Sequence, residues 1–156
     1  MADAGERGPH GAARAAADAG EGVKPYAPPR LPLRLLAGRL AVARLDPDAP
    51  IPAWALDPAP LVAIARTRSE LSILTDDGSV PDHVRAERGW RALEVRGPLP
   101  FDLVGILASL VQPLAEARLG IFALSTYDTD YVLVKQGDLD RAVAALRVAG
   151  HTVDGA

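Results

Sequence analysis

The chain has 156 residues, 49% of them apolar and 24% charged, and a formal net charge of −3 at pH 7. These proportions are typical of a soluble globular protein with one domain or two very small ones. The acidic balance argues against a general nucleic-acid binder, because such a protein needs a basic face to replace phosphate counterions. The chain has no cysteine, which excludes disulfides, thiolate nucleophiles and cysteine-ligated metal centres.

Residues typical of catalytic and nucleotide-binding sites are scarce. His10, His83 and His151 are the only histidines, and they lie far apart in the sequence. Neither GxGxxG nor GxxxxGKS/T occurs, so the glycine spacings that cradle phosphates are absent. We therefore expect a protein that is not an enzyme and that has no catalytic residue, no cofactor and no metal.

Nothing in the sequence predicts contact with a membrane. The longest apolar stretch, residues 103–114, is shorter than the roughly 20 residues that cross a bilayer. Residues 1–22 carry scattered charges and lack the apolar segment of a secretion signal. We expect a cytoplasmic protein.

The first 30 residues are predicted to form a disordered tail. They are rich in alanine and glycine and end in a cluster that includes Pro25, Pro28 and Pro29. Prolines remove backbone donors, and the segment has too little bulky apolar surface to offset the entropy of ordering.

Residues 31–89 are predicted to form a small first module. Apolar runs bounded by turn residues indicate three strands, and proline-containing segments indicate two short helical turns. The strands are expected at 39–45, 61–65 and 71–75, and the helical turns at 51–56 and 81–87.

Residues 90–156 have a clearer pattern. Asp102 is a good N-cap for a helix whose apolar residues recur from Leu103 to Leu114, although Pro113 should disturb it. A second amphipathic helix is expected between Asp138 and Gly150. Strands are expected at 90–95, 121–125, 131–135 and 151–153.

The order of elements in 90–153 is βαββαβ, the split-βαβ or ferredoxin-like order. The first half reads as a shortened version of the same order. We therefore predict an α+β protein of two tandem ferredoxin-like modules, at 31–89 and 90–156. Each module alone is marginal in size, so pairing would bury faces that neither can cover.

Two segments are candidates for a binding site. Ser125, Thr126, Asp128 and Asp130 belong to a run of seven polar or aromatic residues between two apolar strands, and its carboxylates could balance a ligand ammonium or guanidinium. The alternative is a turn in which Asp and Thr bond their own backbone.

The second candidate is the predicted start of the first helix. Asp102, Gly105 and Ile106 lie where unpaired N–H groups and the helix dipole could bind a carboxylate. The alternative is ordinary capping by Asp102, with Gly105 in a packing role.

Particular sequences in this half resemble a known family. The segments GILASL, PLAEA and GIFALSTYDTDYVLV, between residues 105 and 134, are similar to ACT domains of bacterial proteins related to the animal cytosolic arginine sensor. The residues around Trp54 and 70–73 are similar to the paired N-terminal module of those proteins.

The resemblance implies a regulatory module that binds a small molecule, commonly an amino acid, between paired domains. Asp102, Gly105 and Ile106 would then line one side of the site, and Ser125, Thr126 and Asp130 the other. We expect a polar seam between the two halves that holds a zwitterion. The alternative is a structural or protein-interaction module with a vestigial pocket. A homodimer and a protein partner both stay open.

Overall fold

A computed structural model describes residues 27–156, so the predicted tail lies almost entirely outside the described residues. Eight strands form one mixed sheet, and two α-helices pack on it. The strands are β1 Pro32–Leu35, β2 Leu40–Leu45, β3 Ala63–Arg66, β4 Leu71–Asp76, β5 Ala86–Val95, β6 Ile121–Ser125, β7 Asp130–Lys135 and β8 Thr152–Asp154. The helices are α1 Ile106–Glu116 and α2 Leu139–Val148, and short 3-10 turns occur at Ala53–Leu56, Asp77–Ser79 and Gln136–Asp138.

Strand β5 belongs to both halves of the molecule. Its first part pairs with β2, and its last part pairs with β1 on one side and with β7 on the other. Trp90 is the residue that pairs on both sides, with Leu40 and with Lys135. The division that the sequence places between residues 89 and 90 therefore falls inside one continuous strand.

The first half has the sheet order β3-β4-β2-β5. This is the order of a ferredoxin-like unit in which β5 is the last strand, and 3-10 turns replace the two helices. The helical turn predicted for 81–87 is wrong, because Ala86 and Glu87 pair with β2 and the preceding residues form only a tight turn.

The second half has the order β6-β7-β5-β1-β8. It is the same unit with β5 as its first strand and with β1 inserted before the last. β1 pairs antiparallel with β5 and parallel with β8. No strand was predicted there, because four residues that begin with a proline carry little local signal. Proline is tolerated at the first position of a strand.

The two faces of this half differ. Both helices cover one face, over an apolar core that includes Leu33, Leu93, Val95, Leu110, Leu114, Val132, Val134 and Leu146. The opposite face, which we call the bare face, carries Trp90, Ala92 and Glu94 of β5, and no described helix covers it.

The structure confirms the prediction of an α+β fold with two ferredoxin-like modules. No helix in the described part of the chain is long and apolar enough to span a membrane.

His151 ties α1 to the edge of the sheet. Pro113 lies inside α1 and has no N–H to donate to the carbonyl of Ser109. The Nε2 atom of His151 lies 3.0 Å from that carbonyl, and Nδ1 accepts the Leu31 N–H at 3.1 Å. With Nε2 donating and Nδ1 accepting, the buried ring bonds to backbone on both sides. The Ser109 carbonyl, which cannot accept a hydrogen bond from Pro113, thus accepts one from His151.

Replacing His151 by alanine should therefore destabilise the fold. His151→Ala leaves the Leu31 N–H and the Ser109 carbonyl without partners in a buried place, and each such group costs about 1–3 kcal/mol. The free energy of unfolding from urea titration should fall by roughly 3 kcal/mol. His83→Ala removes an exposed histidine and should change it by less than about 0.5 kcal/mol. Equal effects of the two substitutions would contradict this role.

Candidate functional site

A cleft of about 420 Å³ lies between two segments of the second half. One wall is the loop 97–105, which leaves β5, together with the first turn of α1. The other wall is the connector 125–130 between β6 and β7. Six of the seven predicted site residues line the cleft: Gly105, Ile106, Ser125, Thr126, Asp128 and Asp130.

The cleft does not lie at a seam between the halves. All of its lining residues fall between 99 and 130, and none comes from 31–89. The expected polar seam is wrong because the two halves share β5. Their junction on the bare face is filled by apolar residues, namely Leu40, Leu61, Leu74, Trp90, Ala92 and Leu133.

Asp102 does not cap the helix. α1 begins at Ile106, and the residue before it, Gly105, has a left-handed φ of 82°. A separate turn lies before the helix, in which the Leu103 N–H donates to the Pro100 carbonyl. The chain therefore enters the helix at Gly105 and not at Asp102. Asp102 is exposed and lies outside the lining of the cleft. The predicted roles of Asp102 as cap and cleft residue are wrong.

The first turn of α1 faces the cleft. Residues 105–108 line the cleft, and the Ser109 N–H donates to the Gly105 carbonyl at 2.9 Å as the helical ladder begins. The residue before the helix is a glycine, which has no side chain with which to cap it, and the first turn has no acidic residue. The amides of Ile106, Leu107 and Ala108 precede the ladder, so the positive end of the helix dipole borders the cleft.

The opposite wall is a tight hairpin turn. The Thr126 N–H donates to the Thr129 carbonyl at 2.8 Å. The Thr129 side chain is buried, and its hydroxyl donates to the carbonyl of Val95 at the end of β5. The Ser125 hydroxyl donates to the carboxylate of Asp130. The turn alternative is thus partly right, since the Thr126 hydroxyl donates to the nearby Thr129 carbonyl while the Asp128 side chain stays exposed.

The two walls are held together by the backbone. The Leu99 N–H donates to the Asp128 carbonyl at 2.8 Å. A Cβ atom on Gly97 would lie 2.8 Å from the same carbonyl oxygen, closer than real side chains approach. Gly97 therefore permits the connector to reach the loop. Sequence reasoning missed Gly97 and Thr129, because a close approach between segments 30 residues apart leaves no local pattern.

The lining is acidic at one end and apolar elsewhere. Asp128 and Asp130 contribute two carboxylates, and no lysine, arginine or histidine among the described residues 27–156 lines the cleft. Phe101 and Tyr127 meet across its mouth, with ring centroids 4.9 Å apart in an edge-to-face arrangement. Both aromatic residues are exposed, so the cleft is open to solvent on that side. The described residues hold no cluster of three or more potential metal ligands.

A second cleft, of about 610 Å³, lies on the other side of the connector, at the bare face. Both of its arginines and Glu94 are already in ion pairs within the protein, and Asp128 lines this cleft as well as the first. Arg34 bonds to Glu94, and the Tyr131 hydroxyl donates to Glu94 at 3.0 Å. Arg96 bonds to Asp154 at 2.8 Å. Burial, with Glu94 beside the phenol, raises the pKa of Tyr131. Because these charges are compensated within the protein, the first cleft is the better candidate.

Comparison with protein families gives two matches in the order of the two modules. The model of the ACT domain matches residues 85–148. A second model, which describes an N-terminal domain, matches residues 38–83.

Known proteins resemble the chain over most or part of its length. The solved structure of Atu0741 from Agrobacterium tumefaciens is 41% identical, with a TM-score of 0.76, over 80% of this chain and 92% of that one. The regulatory subunit of aspartate kinase from Thermus thermophilus shares the fold, at 12% identity and a TM-score of 0.53, over 76% of this chain and 97% of that one.

A curated human relative has a stated role. The human cytosolic arginine sensor for mTORC1 subunit 1 is 34% identical over 59 residues, which are 37% of this chain and 18% of the sensor. The chain thus spans about a fifth of the length of that relative.

A side chain on Gly97 should disturb the walls of the cleft. The φ of Gly97 is not positive, so Gly97→Ala tests the close contact with Asp128 and not backbone strain. We expect the free energy of unfolding to fall by about 2 kcal/mol, as for other overpacked sites. In NMR spectra, the backbone amide signals of residues 97 and 99 and of 125–130 should shift. Gly137→Ala is the matched control, because nothing lies within 4 Å of its Cβ position. An unshifted connector in Gly97→Ala would refute the contact.

Proposed function

The chain belongs to the ACT-domain family, and from this premise we propose that it is a non-catalytic regulatory module that binds a free amino acid. The proposed site is the cleft between the loop 97–105 and the connector 125–130. One observation carries the proposal: the start of a helix and two carboxylates lie on opposite walls of the same cleft.

These walls complement the two ends of a zwitterion. The amides of Ile106 and Leu107 would bind the ligand carboxylate, because the start of α1 offers both donors and the positive end of the dipole. Asp130 would bind the α-ammonium group. One of its oxygens accepts the Ser125 hydroxyl, which holds the carboxylate in place. Charge-assisted bonds of this kind fix orientation as well as affinity.

We propose further that the ligand side chain is cationic. Asp128 adds a second carboxylate, and the part of the lining that the structure describes has no basic residue to neutralise it. A ligand with two cationic groups would balance both acids, and its aliphatic stem would pack on Leu99, Leu107 and the ring of Phe101. The name of the human relative, an arginine sensor, supports the same class of ligand.

We propose that this regulatory module acts on another protein, and a cytoplasmic location would expose it to free amino acids.

The second candidate function is a protein-interaction module without a ligand. It is favoured by the exposed apolar groups that line the cleft, since Phe101 is 76%, Leu103 49% and Tyr127 81% exposed. Amino-acid binding separates the two candidates.

Free amino acids should stabilise the protein against heat, and arginine and lysine should do so most. A ligand that binds only the folded state at a hundredfold excess over its Kd adds about 2.7 kcal/mol. Differential scanning fluorimetry with the twenty amino acids, each at millimolar concentration, measures the effect. Glutamate should give the weakest shift because the cleft is acidic.

Asp130→Asn and Asp128→Asn should each weaken the stabilisation by arginine, because each keeps the shape of the side chain and removes its charge. Asp82→Asn, at an exposed site outside the cleft, is the control and should respond as the wild type does. The proposal fails if no amino acid shifts the melting temperature, or if both cleft variants respond fully.

A further inference from the structure

The second cleft, at the bare face, places two arginines on one face of the sheet. Arg34 and Arg96 both line it. The Arg96 N–H donates to the Pro32 carbonyl at 2.9 Å, so the pairing of β5 with β1 continues one residue beyond Val95. Arg96 is two residues after Glu94, the partner of Arg34, and therefore lies on the same face. Two guanidinium groups beside one cleft favour an anionic ligand.

The ion pairs of these arginines leave N–H donors available. A guanidinium group has five N–H donors. Arg34 donates to Glu94 through Nε and one terminal nitrogen, and Arg96 donates to Asp154 through one terminal nitrogen. The side chains of Arg96 and Asp154 are 51% and 62% exposed, and an ion pair as exposed as this contributes little to stability. An anion can therefore replace Asp154 at Arg96 at a small cost.

Asp128 lies in the wall between the two clefts. It lines both of them, and its side chain is exposed. The Leu99 N–H holds its carbonyl, so the backbone is fixed while rotation about χ1 can turn the carboxylate to either side. A cation in the first cleft attracts this carboxylate. The described lining of the second cleft then changes from two positive and two negative side chains to two positive and one negative.

We propose that the second cleft binds a small tetrahedral oxyanion of the phosphate type, and that Asp128 couples this site to the first cleft. Arg34 and Arg96 would both donate to oxygens of the anion, as guanidinium groups do in phosphate contacts. A cationic amino acid in the first cleft would strengthen anion binding, and the anion would strengthen amino-acid binding by the same factor. The coupling rests on the proposed function, whereas the anion site does not.

Titration with sodium phosphate, followed by NMR of the isotope-labelled protein without amino acid, tests the anion site. Sodium chloride keeps the ionic strength constant. Saturable amide shifts should appear at residues 34, 94–97 and 126–131. Arg96→Gln should raise the Kd for phosphate about tenfold, because it removes a charged donor. Arg141→Gln is the matched control and should bind as the wild type does, since Arg141 is also an exposed, ion-paired arginine but lies outside the cleft.

Asp128→Asn tests the coupling. It should lower the Kd for phosphate several-fold without any amino acid, because it removes a carboxylate from the shared wall. Saturating L-arginine should lower the Kd for phosphate several-fold in the wild type and leave that of Asp128→Asn almost unchanged. Asp82→Asn, outside both clefts, should respond as the wild type does.

The outcomes separate the anion site, the coupling and the proposed function. Shifts with phosphate that match those with chloride alone, or equal Kd values for the wild type and Arg96→Gln, would overturn the anion site. A Kd for phosphate that Asp128→Asn does not lower, or that bound arginine does not lower in the wild type, would overturn the coupling. If arginine causes no shifts of its own while phosphate binds as described, the proposed function fails and the anion site stands.

Discussion

The structure depends on the sharing of β5. This strand ends one ferredoxin-like unit and begins the next, and it has hydrogen-bonded neighbours on both sides over its last residues. Neither half could be removed without leaving β5 half-paired. Because Trp90 pairs with both β2 and β7, the two halves form one sheet rather than two bodies with a cleft between them. The cleft that we propose as the binding site therefore lies within the second half.

The position of the cleft is set by contacts at the end of β5. The Val95 carbonyl accepts a hydrogen bond from the Thr129 hydroxyl. The Leu99 N–H donates to the Asp128 carbonyl, and Gly97 has no side chain to keep that carbonyl away. These contacts fix the connector against the loop, and the loop delivers Gly105 and the start of α1 to the other wall. The carboxylates and the helix start thus lie on opposite walls of one cleft because these contacts hold the connector against the loop.

Much of this could be predicted from the sequence where the signal was local. The alternation from Ile121 to Val134 and the polar run between its strands identified the β6–β7 hairpin and four residues of the cleft. The features that could not be predicted arise from contacts between distant segments. β1 forms because the residues around Leu33 pair with β5 and β8. α1 begins at Ile106 and not directly after Asp102, because the chain turns at Gly105, which has a left-handed conformation. Asp102 is a residue type that often caps helices, but it does not cap this one. The close approach at Gly97 likewise involves a partner 31 residues away.

The central claim is that the helix start and the connector together bind the two ends of an amino acid. Its most direct test is a titration of the isotope-labelled protein with L-arginine, followed through the backbone amides by NMR. The account predicts that saturable shifts appear at 105–108 and at 125–130, while amides of β2, β3 and β4 stay in place. Shifts confined to the bare face or to the first half, or none at all up to millimolar arginine, would contradict it.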